Sequence, residues 1–211
     1  MNKMIRITAL LVFALLLNSC ASGYKQINPT AINYGSKSLE TNVLLEYKYD
    51  LLFKKYKKNE TKNDVKLIAV KITNNSDRDI TFGKDLKLTY ENSFDLNYLP
   101  TDKLFKTLKQ SPASYLWYLL LSPLQLYSGT KTTSNGYYTT TEPANTFPIG
   151  LIVGPGIAGG NMIAASSANK KFKNDLTAFD ITGRTIKQGE TVFGLIGVNS
   201  NSYESIKVKM Q

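Results

Sequence analysis

Val43-Leu44-Leu45-Glu46-Tyr47-Lys48-Tyr49-Asp50-Leu51-Leu52-Phe53 is the stretch from which the fold is read. Val43, Leu45, Tyr47, Tyr49, Leu51 and Phe53 alternate with Leu44, Glu46, Lys48, Asp50 and Leu52. A period of two is that of a strand, here with one fully apolar face. Downstream, Lys54-Lys55-Tyr56-Lys57-Lys58 and the polar run to Asp64 predict a turn, and residues 65–73 the return strand. Asn74-Asn75-Ser76-Asp77 ends it, and residues 80–82 and 86–90 follow as shorter strands around Gly83. Near the C-terminus, residues 179–186 and 191–198 read as strands, the second apolar on both faces and therefore central. Ile206, Val208 and Met210 face inward while Ser205, Lys207 and Lys209 face water. Strand, polar turn, strand at this spacing predicts a mainly-β chain: an immunoglobulin-like antiparallel β-sandwich over residues 41–211.

A helical, glycine-rich insertion at about 101–177 is expected to interrupt it. Between Gln110 and Asn169 only Lys131 and Glu142 carry charge. Residues 101–110 predict a helix with Leu104, Phe105 and Leu108 on one face and Pro112 beyond its end. Tyr115, Leu116, Trp117 and Leu119 to Leu121 continue the apolar run to Pro123. Residues 128–146 read as a Thr/Ser/Gly-rich loop with an Asn135-Gly136 turn, and five glycines lie between Gly150 and Gly160. Asn161 is the expected N-cap of a helix running to about Leu176. Met162, Ala165, Asn169, Phe172 and Leu176 recur on it at spacings of three and four, and Lys170, Lys171 and Lys173 suit its C-terminal end. Burial against the sandwich is the expected fate of the apolar middle. A membrane hairpin of residues 113–127 and 147–168 is an alternative in which only the second part is long enough to span, and an interfacial contact is another.

No histidine is present, which removes the usual general base and the commonest metal ligand. Gly154-Pro155-Gly156-Ile157-Ala158-Gly159 matches G-x-G-x-x-G, with Asp180 about twenty residues on. Only 31 residues follow Asp180, too few for the rest of a dinucleotide-binding sheet, so close helix packing is the expected use of the glycines. Ser167-Ala168-Asn169-Lys170 matches S-x-x-K, the nucleophile motif of penicillin-binding enzymes, without the S-x-N and K-T-G partners. Asp77 and Asp79 beside Asn74 and Asn75 lack the register and distal glutamate of a calcium loop, and Asx hydrogen bonds account for them. No catalytic residue, metal site or cofactor is therefore expected. The candidate binding surface is Lys54, Lys55, Tyr56, Lys57 and Lys58 at a hairpin tip, with Trp117. Tyrosine among lysines suits an anionic glycan or lipid headgroup.

Lys3 and Arg6 precede an uncharged segment, residues 7–17, long enough for a signal peptide and too short for a stable span. The Leu17-Asn18-Ser19-Cys20 sequence that closes it resembles the lipobox of bacterial lipoproteins, and Cys20 is the single cysteine of the chain. That resemblance implies a signal peptide at 1–19, cleavage before Cys20, and a thiol carrying a diacylglyceryl group, with palmitate or a like chain on the freed amine. Residues 20–40 are then the lipidated N-terminus and tether, with part of the segment expected to lie along the domain, since Tyr24, Ile27, Pro29, Ile32 and Tyr34 punctuate it where a flexible spacer would be richer in Gly and Ser. Cleavage after residue 19 of 211 leaves 192 residues, and loss of Lys3 and Arg6 takes the formal charge from +10 to +8. A basic balance favours anionic neighbours in the envelope, and an exported, lipid-tethered chain has no call for nucleic acid.

Tyr24-Lys25-Gln26-Ile27-Asn28-Pro29, Tyr47-Lys48-Tyr49-Asp50, Val70-Lys71-Ile72-Thr73-Asn74-Asn75, Gly160-Asn161-Met162, Ala168-Asn169-Lys170 and Gly189-Glu190-Thr191-Val192 together resemble a group of uncharacterised lipoproteins from Bacteroidota. The resemblance implies a cell-envelope lipoprotein and supplies no activity. Surface-exported lipoproteins there carry acidic residues soon after the cysteine, and Ala21-Ser22-Gly23-Tyr24-Lys25 has none, which implies the periplasmic side of the outer membrane. The expectation is a non-catalytic outer-membrane lipoprotein presenting its sandwich to an envelope protein, anionic glycan or lipid. An envelope hydrolase whose site forms only in the fold, and a membrane-perturbing lipoprotein using residues 113–168, are the competing expectations.

Overall fold

The computed structural model describes residues 20–211, so the signal peptide expected at 1–19 lies outside the described residues. Described residues fall into two compact units. The larger is Ser22–Gln110 with Ser167–Gln211; the smaller is Ser111–Ser166 together with Cys20 and Ala21. The boundaries of the interruption thus fall at 111 and 166, inside the expected 101–177. With 34% strand and 31% helix, the chain is mixed rather than mainly β, though its strand ladders are antiparallel.

In the larger unit the strands are β1 (Ser36–Glu40), β2 (Val43–Lys48), β3 (Val65–Asn74), β4 (Ile80–Thr81), β5 (Leu86–Tyr90) and β6 (Tyr98–Leu99). The smaller unit holds β7 (Leu126–Ser134) and β8 (Thr139–Phe147), and β9 (Thr185–Ile186), β10 (Thr191–Asn199) and β11 (Ile206–Met210) complete the larger. The helices are α1 (Lys54–Lys62), α2 (Thr101–Leu108) and α3 (Gly150–Ala178). A five-stranded sheet in the order β1-β2-β3-β10-β6 forms the centre of the larger unit. Because side chains alternate along a strand, Ile68, Val70 and Ile72 of β3 enter one core and Leu67 and Ala69 the other. The first core is shared with Leu86, Leu88, Ile206 and Val208 of the β5–β11 pair. The second is closed by Leu104 and Leu108 of α2, Phe172 and Leu176 of α3, and Tyr56. Gly197 of β10 admits α2: a Cβ there would stand 2.5 Å from Leu104 Cδ1.

The turn expected at Lys54–Lys58 is the helix α1. Tyr56 and Glu60, one turn apart, are its buried residues. Tyr56 packs edge-on against Tyr24 and Phe172, with ring centroids 5.3 and 5.0 Å away. The Glu60 carboxylate accepts from the Leu67 backbone N–H at 3.0 Å and from Lys57 at 2.8 Å, so its burial is compensated. Of the strand expected over 179–186 only Thr185–Ile186 pairs. Asp180 Oδ1 accepts from the Thr182 N–H, and Gly183 has a φ of +71°, so the first part is a turn.

In the smaller unit, Pro112–Leu121 forms a 3-10 segment and 128–146 is no loop but most of the β7–β8 hairpin. The Asn135-Gly136 turn lies where expected, with Gly136 at φ +85° and the Asn135 N–H donating to the Tyr138 carbonyl. Every residue of both strands is exposed. α3 begins at Gly150, so Asn161 lies inside the helix and is not its N-cap. Backbone approach explains two glycines: a Cβ on Gly150 would meet the Leu121 carbonyl at 2.1 Å, and one on Gly154 the Tyr118 carbonyl at 3.0 Å. Gly156, Gly159 and Gly160 face open space instead. The small core of this unit is Tyr115, Tyr118, Ala158 and Ala165. Burial of the apolar middle is not met: α3 is long and apolar enough to cross a membrane by length and composition, and only 22% of its most apolar window is buried.

Candidate functional site

Cys20 is exposed, and the chain is bound into structure directly after it. In the smaller unit, the Ala21 N–H donates to Asn161 Oδ1, and Asn161 Nδ2 donates to the Ile157 carbonyl at 2.8 Å. In the larger unit, the Ser22 N–H donates to Gln110 Oε1 at 3.1 Å, and Gln110 Nε2 returns a bond to the Ser22 carbonyl at 2.7 Å. The Gln110 backbone is held in turn by Asn169. Asn169 Oδ1 accepts from the Gln110 N–H at 2.9 Å and from the Tyr56 hydroxyl at 3.0 Å, and Nδ2 donates to the Gln110 carbonyl at 2.9 Å. Ser22, Gln110, Asn169 and Tyr56 are all buried, where such bonds are costly to lose.

Asp175 fixes the next residues. Its Oδ2 accepts from the Tyr24 hydroxyl at 2.8 Å and from the Ile27 N–H at 2.9 Å. Burial first, and then the Asp175 carboxylate, pushes the Tyr24 phenol well above its ordinary value. Ile27 and Pro29 are buried, and Tyr34 donates to the Pro29 carbonyl at 2.8 Å. The segment expected as a tether lying partly along the domain is in fact part of the larger unit from Ser22 onward, continuing into β1.

Of the expected binding surface, Lys54 and Lys58 are exposed, Lys55 is half-buried, and Tyr56 is withdrawn into the core. Lys57 is engaged by Asp50 at 2.7 Å, by Glu60 at 2.8 Å and by the Tyr203 hydroxyl. Burial pulls its ammonium down, and those three hydrogen bonds outweigh it, so the charge is held above the ordinary lysine range. The tyrosine-among-lysines surface is thus dismantled by α1, which turns the aromatic ring inward. Trp117, in contrast, is 73% exposed. A shallow cavity of about 380 Å³ lies elsewhere in the larger unit, lined among others by Lys25, Lys48, Asp50 and Phe53. Lys25 stands 5.1 Å over the Phe53 ring there.

The remaining motif residues have structural employment. Gly154 to Gly159 lie inside α3, not at the strand-to-helix turn that a phosphate cradle needs. Asp180 accepts from the Thr101 hydroxyl at 2.6 Å, and although burial opposes it, this bond and the Thr182 N–H hold its carboxyl below the usual range. Ser167 and Lys170 are both exposed on α3. Asn74 Oδ1 accepts from the Ser76 N–H, the Asx turn expected, while its Nδ2 donates to the Arg78 and Ile186 carbonyls. Among the described residues no group of three or more His, Cys, Asp or Glu side chains is placed to hold a metal.

The Ser22–Gln110–Asn169–Tyr56 network was not foreseeable from spacing, since its members lie up to 147 positions apart and are common polar types. No protein-family model matches the chain, no curated protein matches its sequence, and no solved structure matches its fold. Its role has to be read from its own residues.

Proposed function

We propose that the chain is a non-catalytic lipoprotein of the cell envelope, acylated on Cys20 and presenting its larger unit to an envelope partner. The observation that carries this reading is the setting of the single cysteine. Cys20 sits exposed at the foot of the lipobox-like sequence, and the two residues that follow it, Ala21 and Ser22, are hydrogen-bonded to Asn161 and Gln110. A mature chain beginning at Cys20 would keep every one of these contacts and lose none. Two acyl chains or more give a durable anchor where one is marginal, at about 0.8 kcal/mol per buried methylene. The likeness to Bacteroidota lipoproteins supports an outer-membrane location on the periplasmic side.

The presented body is an immunoglobulin-like sandwich in this reading. It is supported by the antiparallel layers β1-β2-β3-β10-β6 and β5–β11, which share one core. The exposed lysines on it, such as Lys54 and Lys58, suit an anionic protein, glycan or lipid headgroup. A hydrolase using Ser167 and Lys170 gains no support from two exposed side chains on α3.

Mass spectrometry of the protein from native membranes is expected to find a diacylglyceryl-modified Cys20 at the N-terminus. Cys20→Ala is expected to move the protein from the membrane to the soluble fraction of whole cells. An unmodified thiol in the native protein would end the proposal.

A further inference from the structure

The smaller unit has a surface poorly suited to water. Among the described residues 17 large hydrophobic side chains are exposed, and 13 of them lie between Leu116 and Ile163. Trp117 and Ile163 are each 73% exposed and Leu120 is 69% exposed. The only charges in that stretch, Lys131 and Glu142, face one another across the β7–β8 ladder. Along α3 the outward face is Leu151, Ile152 and Ile163, and charge begins only at Lys170. A helix face turned to water normally carries charge along its whole length. Exposed apolar area on this scale marks a partner or a membrane.

The occupant follows from what lies beside it. Cys20 and Ala21 belong to this same unit, and the Ala21–Asn161 bond leaves no spacer between the cysteine and the apolar surface. We propose that this surface seats in one leaflet of the bilayer next to the acyl chains on Cys20, so that protein and lipid anchor the molecule together; this rests on the reading of Cys20 as acylated. A protein partner would call for charges to fix its register, and between Leu116 and Ile163 the chain offers only Lys131 and Glu142, opposite one another in the β7–β8 ladder. Trp117, Tyr127, Tyr137 and Tyr138 are exposed aromatics with a polar tip, the type that settles at a headgroup boundary.

Trp117 is the single tryptophan of the chain, so its emission reports on this surface alone. In the acylated full chain reconstituted in neutral phosphatidylcholine vesicles, Trp117 is expected to shift to the blue and to be quenched by acyl-brominated lipid. High salt is expected to leave both effects unchanged. The double variant Leu120→Asp with Ile163→Asp alters two exposed side chains and is expected to keep its circular dichroism. It should return Trp117 to water-like emission while the acyl chains hold the protein on the vesicles. Wild-type emission that stays water-like and unquenched on those vesicles would overturn the proposal and leave acylation standing. A blue shift that grows with protein concentration without lipid would overturn it in favour of a second copy. The Cys20→Ala chain serves as an arm independent of acylation. It is expected to partition weakly onto the neutral vesicles, about tenfold or more weakly again in the double variant. Binding that requires phosphatidylglycerol and vanishes in high salt would assign it to the lysines of the larger unit and overturn the proposal.

Discussion

Tyr98 and Tyr34 show how single residues set the pH range in which the larger unit survives. Burial, with Asp95 and Tyr90 adding to it against the Leu88 hydrogen bond, pushes the Tyr98 phenol up to about 12. Burial and the charge of Glu46 push Tyr34 up to about 12 as well. The folded state therefore holds these protons more tightly than the unfolded chain, where tyrosine titrates near about 10. Their contribution is complete below about pH 10 and is lost as pH rises through about 12. Urea midpoints are expected to fall over that window, and Tyr98→Phe to flatten the fall by up to one proton of linkage. Since the Phe variant also unpairs the Leu88 N–H, the slope against pH is the readout and not the value at neutral pH. A slope identical to wild type would remove Tyr98 from the account.

At the scale of elements, close approach separates one glycine from another. Gly197 in β10 faces Leu104, which is 1% exposed and has nowhere to swing, so Gly197→Ala is expected to cost about 1–3 kcal/mol in urea unfolding. Gly156 in α3 faces open space, and Gly156→Ala is expected to be neutral or to gain about 0.5–1 kcal/mol from helix propensity. Equal effects would mean that packing does not distinguish the two. The same contrast explains what could be read in advance. Strands β3, β5, β10 and β11 were legible because one or both faces are apolar at period two, and β2 only as far as Lys48, since the alternation to Phe53 runs on through Asp50, whose φ of +58° ends the strand. α1 was not: only Tyr56 and Glu60 point inward, and a buried glutamate looks like a turn residue until its Leu67 and Lys57 partners are known. The sequence starts α3 twelve residues late, after an N-cap at Asn161, because five glycines and Pro155 argue against a helix. Contact with Pro112–Leu124 overrides that local preference. The exposed Trp117 was visible as an aromatic in an uncharged run, whereas the fixing of Ser22 depends on residues brought together only by the fold.

The larger unit is basic and the smaller one neutral. Apart from Lys131 and Glu142, which face one another, the charge of residues 20–211 lies on the larger unit. Lys131 is then the one site for trypsin between Gln110 and Asn169, and it lies in a ribbon whose side chains are all exposed. An isolated two-stranded ribbon is marginal in water. Limited trypsin digestion of the soluble Cys20→Ala chain is expected to cut first at Lys131, seen by mass spectrometry as two fragments. A first cut within the lysines of α1 would show that the ribbon is held more firmly than its exposure implies.

On the proposal that Cys20 is acylated after cleavage of a signal peptide, the bonds that lock Ser22 to Gln110 bear on timing during biogenesis. If the mature body closed before export processing was finished, the peptide bond ahead of Cys20 would stand two residues from a rigid wall, with little slack to enter a peptidase cleft. Maturation in this scheme must outrun folding, and whatever slows the first, including a poorer residue at Asn18, gives the second time to shut the door.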